Sequence, residues 1–346
     1  MNRYEGIDLL KFIAILSIPF LHFCSYFYKE QPDDIKFIFM HMVRWMSFAG
    51  VGLFMTISGF LYLYKAYTKK YWIKFSIFYL KFFVYCFITA AVYENIKELW
   101  DYFFRYSTYF WFVAYWIGML LLIPFLNKAI QECTKKEYLI AITVFFILFS
   151  LPNALEQFND MYDTKVHLSM YWNVNNFPLL YYMIGAGFRK YHLKISKRVC
   201  LLGIIGCLLL NSFYDYWYCR KYLTEFGKHL YTNNYYANPI TIIIVILLFG
   251  GMYYIKIHSK FKRILSFFSS ISFEMYLGLI CADKWIGGVR EKIELILITN
   301  GFSYYWSCIV WEVGELIITF LLAVLVNEII KVCLFFLKFI KRRLIR

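Results

Sequence analysis

Two ionisable side chains in the first apolar stretch of the chain have types and spacing suited to acid–base chemistry. Lys11 and His22 lie eleven positions apart in RYEGIDLLKFIAILSIPFLHF. On an α-helix, at about 100° and 1.5 Å per residue, they share one face about 16 Å apart, with Ile15 and Ile18 between them. An imidazole accepts a proton from a hydroxyl near neutral pH, and so His22 is a candidate general base. A histidine that only bonds a neighbouring helix explains the residue equally well.

A second apolar stretch, FIFMHMVRWMSF, carries a histidine and an arginine. His41 and Arg44 are three residues apart and are therefore neighbours on one helical face. An arginine cannot lose its charge, and inside a membrane it must face a carboxylate, a carbonyl, a substrate or water. Arg44 is therefore either part of a site or a structural partner of a carboxylate such as Glu312 or Glu315.

The composition places these groups in a membrane. The chain has 346 residues, of which 61% are hydrophobic and 23% aromatic, and this excludes an ordinary soluble protein. The formal charge is +15, but the basic residues cluster in short segments between apolar runs, which is typical of membrane insertion and not of nucleic-acid binding. The nine cysteines show no metal-site spacing, and so neither a disulfide framework nor a zinc site is predicted. No bound metal or cofactor is expected.

We predict an all-α fold, a polytopic membrane helix bundle of about ten transmembrane helices. No repeat or soluble domain is visible, and residues 1–346 are predicted to form a single integral-membrane domain. We expect the first run to be a retained span and not a signal peptide, because acidic residues precede it and no cleavage site follows it. At about 20 residues per crossing, the predicted spans lie near residues 7–28, 36–64, 72–93, 108–127, 137–152, 176–189, 199–218, 238–256, 268–286 and 304–338.

The distribution of basic residues predicts the orientation. Basic loops are predicted over residues 65–74, 189–198 and 256–263, and the C-terminal tail is also basic, whereas most intervening loops are acidic or mixed. With ten spans these segments share one side, so that both termini are predicted to be cytoplasmic. Lys11 then lies near the cytoplasmic boundary and His22 in the outer half of the membrane. We expect a multi-pass protein of the plasma (inner) membrane.

Several motifs resemble the acyltransferase 3 family of integral-membrane enzymes. The first stretch is similar to the family's opening pattern of a basic residue, ten intervening residues and a histidine, with Lys11 and His22 in those places. GVGLFMTISGFL resembles its second-span motif, and Arg44 stands where a subset of members has arginine. FWFVAYWIGMLLLIPFL resembles its fourth-span signature, and ISFEMYLGLI resembles a motif near its ninth span that usually ends in histidine, where this chain has Leu279. The resemblance covers most of the chain.

The resemblance implies a membrane O-acyltransferase of a bacterial cell envelope. Its donor is cytoplasmic acyl-CoA, by default acetyl-CoA because acetyl is the family's commonest acyl group. Its acceptor is a hydroxyl of a cell-surface glycan such as capsule or exopolysaccharide, which can be lipid-linked. On this interpretation the catalytic residues are His22, as general base or transient acyl carrier, and Arg44, which stabilises the developing oxyanion.

The same interpretation assigns binding residues. Arg3 and Lys11 are expected to attract the phosphates or pantetheine carbonyls of the donor, and Asp8, three residues before Lys11, to pair with it. Ser58 also has a plain packing explanation, because it precedes a glycine and small residues let helices approach closely. The residues expected to bind the acceptor are His41, Ser58 and Trp111.

Two other functions stay open at this point. A polysaccharide transporter or exporter of the same fold would move a glycan along the polar groups without forming an acyl bond. It would tolerate His22→Gln, whereas an acyltransferase would not, because only imidazole exchanges the proton. A glycan polymerase would need a large extracytoplasmic loop, and the longest candidates, near residues 153–175 and 219–237, are short for that.

Overall fold

The computed structural model describes residues 4–24, 34–92, 111–152, 154–155, 176–221, 235–301 and 304–344. Within these ranges it contains eleven α-helices of at least 12 residues, one 3-10 turn and no β-strand. A bilayer requires every backbone polar group to be satisfied internally, which helices achieve. The all-α prediction is confirmed for the described residues. The helices are α1 (Glu5–Cys24), α2 (Asp34–Tyr62), α3 (Lys69–Val92), α4 (Trp111–Glu132), α5 (Lys135–Phe149), α6 (Phe177–Tyr191), α7 (Lys197–Lys221), α8 (Pro239–Met252), α9 (Ser259–Ser270), α10 (Ser272–Thr299) and α11 (Tyr304–Leu344).

Five of the described helices, α2, α3, α4, α7 and α11, contain stretches long and apolar enough to cross a membrane. A sixth candidate is formed by α9 with the first part of α10, which are bent by 61° where they meet. The chain is therefore a polytopic membrane protein. The helices α5, α6 and α8 have 14 or 15 residues and are about 22 Å long, short of the roughly 30 Å hydrocarbon core. The count of ten crossings stays a prediction.

Nine of the ten predicted spans each overlap one helix, and the span over residues 268–286 overlaps both α9 and α10. All three predicted basic loops need correction. Residues 189–198 form a loop only over 192–196, because α6 ends at Tyr191 and α7 begins at Lys197. Residues 65–74 form a loop only as far as residue 68, because α3 begins at Lys69. Residues 256–263 run into α9, which begins at Ser259 and was not predicted. Lysines are good helix formers, and so a basic segment does not end a helix. The hydroxyl of Ser272 donates to the carbonyl of Ser269 at the bend that separates α9 from α10.

The chain divides into two compact units. Unit 1 comprises Met1–Ala66 and Leu121–Ser266, and unit 2 comprises Tyr67–Leu120 and Phe267–Arg346. In unit 1 the central helix is α2, which packs against α1, α6, α7 and α8. In unit 2, α10 packs against α11 and α3. All the predicted site residues except Trp111 belong to unit 1.

Glycines set the closest approach of α2 to α6. A Cβ atom on Gly59 would collide with the carbonyl oxygen of Tyr182, and one on Gly185 would collide with that of Thr56. Both helices therefore need glycine at this crossing. Except for Leu179, α6 is buried from its first residue as far as residue 188. A short apolar helix is retained here because protein, and not lipid, surrounds it.

The helices α1 and α2 run antiparallel. The rings of Tyr4 and Phe60 meet edge-on with centroids 5.1 Å apart. Farther along, a Cβ atom on Gly50 would lie 2.8 Å from the Cβ atom of Ser17. Residue numbers therefore rise along α1 as they fall along α2. At 1.5 Å per residue, this register puts position 22 of α1 level with about position 44 of α2.

The end of unit 1 where α1 begins and α2 finishes, here called the basic end, gathers positively charged groups. The ammonium of Lys190, in the last turn of α6, donates to the carbonyl oxygens of Ile130 at 2.8 Å and Gln131 at 3.1 Å. The ammonium of Lys262 on α9 lies 2.6 Å from a carboxylate oxygen of Glu5 on α1. The basic segments that follow α2, α6 and α8 thus meet at one end of unit 1.

Candidate active site

The opposite end of unit 1, here called the site end, holds a buried acid–base pair between α2 and α7. Nδ1 of His41 lies 2.6 Å from Oδ2 of Asp215, and Nε1 of Trp45 donates to the same oxygen at 2.7 Å. His41 is 3% exposed and Asp215 4%. A carboxylate only accepts hydrogen bonds, and so Nδ1 of the neutral imidazole carries the hydrogen and Nε2 is the basic nitrogen. This arrangement orients an imidazole as a proton acceptor.

Arg44 lies on the same helix, beside a layer of aromatic rings. It is 5% exposed, and its guanidinium carbon lies 5.4 Å from the ring centroid of Phe48. Phe48 meets Tyr236 with centroids 5.4 Å apart, and Tyr236 stacks on Phe177 at 5.8 Å. Burial raises the pKa of the Tyr236 hydroxyl, and the charge of Arg44 opposes that rise. With little water present, a guanidinium interacts strongly with any negative charge that develops nearby.

The predicted polar face of α1 is turned toward protein. Ile15 and Ile18, which fill the positions between Lys11 and position 22, are both buried. Asp8 is buried and Lys11 is half-buried. These two residues lie toward the basic end, whereas position 22 is level with the site end. Arg3 and the side chain of His22 lie outside the described residues, and so their roles stay predictions.

Of the other predicted acceptor-binding residues, Ser58 lies away from the buried pair and Trp111 belongs to the other unit. Ser58 is half-buried, and its hydroxyl donates to the carbonyl of Phe54 in its own helix at 2.8 Å. It is about 26 Å along α2 from His41 at 1.5 Å per residue. Trp111 begins α4 in unit 2 and is half-buried, and its ring centroid is 6.1 Å from that of Tyr115. Neither location tests the predicted role.

Comparison with family models decides which class of protein carries this site. The model described as an acyltransferase domain, that of the acyltransferase 3 family, matches residues 4–328. This chain belongs to the acyltransferase 3 family. The match extends from the start of α1 into α11 and includes the buried pair and Arg44. Among curated proteins and among solved structures, no match to the chain was found. The resemblance in the motifs is confirmed, and the protein is a membrane acyltransferase.

Sequence reasoning missed Asp215, although the acyltransferase carries a signal for it. Asp215 lies within the apolar span predicted over residues 199–218, where a carboxylate is costly unless it is paired. Asn211 and Ser212, four and three residues earlier, are on the same face of α7 and are 5% and 0% exposed. Among the residues that the structure describes, neither Nδ2 of Asn211 nor Oγ of Ser212 has a hydrogen-bond partner. This face of α7 therefore carries three buried polar groups.

Unit 2 of the acyltransferase has an ion pair of its own, between a half-buried lysine and a buried glutamate. The ammonium of Lys81 on α3 donates to the carboxylate of Glu274 on α10. Leu279, at the place where the family usually has histidine, is buried in the same helix. Glu312 and Glu315, considered above as partners of Arg44, are both buried on α11, and that pairing stays a prediction. Across the described part of the chain, no cluster of three or more His, Cys, Asp or Glu side chains is arranged to hold a metal ion.

Proposed function

We propose that this acyltransferase is an O-acetyltransferase of the plasma (inner) membrane of a bacterium. It moves an acetyl group from cytoplasmic acetyl-CoA to a hydroxyl of a cell-surface glycan, such as a capsule or exopolysaccharide. The family match over residues 4–328 is the observation that carries the proposal. Transfer to a hydroxyl needs a proton acceptor and a positive charge for the oxyanion. Histidine and arginine, the residue types for both tasks, occur together at the site end of unit 1.

The proposed topology has ten crossings with both termini in the cytoplasm. The basic groups that follow α2, α6 and α8 meet at one end of unit 1, and a positively charged end favours the cytoplasmic side. Asp8 and Lys11 lie toward that end and, with Arg3, form the proposed site for the donor's phosphates and pantetheine. The acyl-CoA is a substrate, and the proposal includes no bound cofactor.

At the site end, the proposal divides the chemistry between α1 and α2. His22, whose position is level with Arg44, acts as general base or transient acyl carrier. Arg44 stabilises the oxyanion of the tetrahedral intermediate. The acceptor glycan, which can be lipid-linked, is bound by His41, Ser58 and Trp111.

Acetyl content of the surface glycan tests this proposal directly. A deletion strain is complemented with wild type, His22→Ala, His22→Gln or the control His258→Gln, which changes an exposed histidine at the basic end. We expect proton NMR to show acetyl signals with wild type and the control but not with either His22 variant, at equal glycan amount and equal protein in the membrane.

A different result would favour export over acyl transfer. If acetylation is unchanged on deletion while less glycan leaves the cell, and His22→Gln restores the secreted amount, the protein moves glycan without forming an ester bond. The acyl-transfer proposal would then be wrong.

A further inference from the structure

We infer that His41 is the catalytic proton acceptor for the sugar hydroxyl and that Asp215 is the residue that positions it. This inference rests on the proposed acetyl transfer and assigns one of its steps. The opening motif offers His22 for the same step, and with His41 as the base the role left to His22 is that of transient acyl carrier. The geometry at the site end favours His41, because its ring is held by a carboxylate in the way that a general base requires.

The first support is the way in which Asp215 is fixed. Its Oδ2 accepts one hydrogen bond from Nδ1 of His41 and another from Nε1 of Trp45, and both donors belong to α2. Trp45 is 1% exposed, and so its indole is immobilised by packing. The carboxylate is thereby held in one orientation, and the imidazole in one tautomer with Nε2 as its basic nitrogen.

The second support is the polar face of α7 next to this pair. Asn211 and Ser212 lie about one turn from Asp215 and are more than nine-tenths buried. Within the part of the chain that the structure describes, the amide Nδ2 and the hydroxyl Oγ make no hydrogen bond. Buried donors without partners are costly in a purely structural contact. They are expected where a substrate with hydroxyl and carbonyl oxygens supplies the missing partners.

The third support is the position of the charge that the reaction needs. Arg44 is three residues from His41, so that the two Cβ atoms are about 5–6 Å apart on one helical face. Both side chains are buried. A base and an oxyanion stabiliser at this spacing can act on the same tetrahedral carbon.

The sugar hydroxyl oxygen forms a C–O bond with the acetyl carbon, and its proton passes to Nε2 of His41. The negative charge of the tetrahedral intermediate is held by Arg44. The bond between the acetyl carbon and its leaving atom then breaks, and the proton on Nε2 passes to that atom, which is the sulfur of coenzyme A or, where His22 carries the acetyl group, its imidazole nitrogen. The products are the acetylated sugar and free coenzyme A, with His41 and Asp215 returned to their starting states.

The test measures acetyl transfer in membranes from the deletion strain that contain the full-length protein. Radiolabelled acetyl-CoA and the unacetylated glycan from that strain are the substrates, and kcat and KM are obtained for each variant. We expect His41→Gln to lower kcat about 10³-fold and Asp215→Asn at least about 10²-fold, with KM within about threefold. Trp45→Phe removes only one of the two hydrogen bonds to Asp215, and we expect a fall of less than about tenfold.

Three controls separate positioning from a structural role. His258→Gln should retain wild-type kcat. Asp215→Glu keeps a carboxylate and should recover part of the activity that Asp215→Asn loses. Nitrogen-15 NMR of histidine-labelled wild type, assigned with His41→Gln, should show hydrogen on Nδ1 of His41. This last measurement does not depend on how well the Asp215 variants fold.

Each contrary result has its own meaning. If Asp215→Asn keeps kcat and only lowers the melting temperature, or if His41 carries its hydrogen on Nε2, the inference is wrong. If His41→Gln raises KM at unchanged kcat, His41 binds the acceptor and does not take its proton. If wild type transfers no acetyl to the glycan, the proposed function itself is wrong. A loss of transfer that is confined to the His41 and Asp215 variants leaves the proposed function intact.

Discussion

Both ends of unit 1 place an arginine against aromatic rings, but the two arginines differ in how deeply they are buried. At the site end, Arg44 is buried against Phe48, and the polar groups around it lie among aromatic rings. At the basic end, Arg189 is half-buried and its guanidinium carbon lies 5.0 Å from the ring centroids of both Tyr4 and Phe60. Water screens charges at an exposed end, whereas a buried charge keeps its full effect on its neighbours.

This difference indicates which contacts stabilise the fold and which reduce its stability in order to serve function. The contacts of the basic end join helix ends to one another, as Lys262 does with Glu5, and they satisfy backbone groups that helices leave open. Those of the site end place ionisable groups where burial costs most, on helices that are otherwise apolar. We expect substitutions at the basic end to change stability and those at the site end to change chemistry.

The largest effect is expected where α2 crosses α6, close to the basic end. Gly185→Leu would force a side chain into the carbonyl oxygen of Thr56, and α2 and α6 cannot separate without opening the core of unit 1. We expect no folded protein in size-exclusion chromatography of detergent extracts. Gly118→Leu is the matched control, because a Cβ atom there meets nothing within 4 Å. A monodisperse Gly185→Leu variant with the wild-type melting temperature would contradict this description of the crossing.

The next effect compares the two arginines. Arg44→Lys keeps the charge but loses the planar guanidinium, and we expect acetyl transfer to fall about 100-fold with an unchanged melting temperature. Arg189→Lys loses ring contacts and the hydrogen bond to Tyr4. We expect a lower melting temperature and wild-type transfer per folded molecule. Transfer assays and thermal melts on both variants check this, and equal losses of activity would remove the distinction between the two ends.

The smallest effect concerns the half-buried carboxylate of Glu5. Its hydrogen bond with Lys262, followed by that from the backbone N–H of Ile257 at 2.7 Å, holds the pKa of Glu5 below 4.5. The stabilisation is therefore complete above pH 4.5 and is lost as the pH falls through the lowered pKa. We expect wild type to melt slightly above Glu5→Gln at pH 7, and this difference to shrink as the pH falls below 4.5 through the lowered pKa. A difference that is constant over this pH range would show that the pair does not act through the charge of Glu5.

Much of the fold was open to prediction because hydropathy reports helices directly. Each of the ten apolar runs overlaps a helix, one of them overlaps two, and the motifs around Lys11 and His22 led to the correct family. The predictions that need correction concern residues 65–74, 189–198 and 256–263, where lysines and arginines were interpreted as loop. Charge marks the edge of the apolar region and does not mark the end of a helix.

The candidate site was open to prediction only in part. His41 and Arg44 stand out because ionisable groups within an apolar run are costly. The cost of a charge within an apolar run also marks Asp215, but this cost does not indicate which residue pairs with it. Ser58 illustrates the opposite case, since its motif position suggested binding while its hydroxyl bonds its own helix.

The sequence by itself determined that this protein is an all-helical membrane acyltransferase, because composition, apolar run length and motif identity are properties of the chain. Only the tertiary structure decided that Asp215 meets His41 across 174 positions of sequence. That pairing depends on which helices touch α2, in which direction they run and how each is rotated. Packing at glycines such as Gly59 and Gly185 sets those quantities, and hydropathy does not encode them.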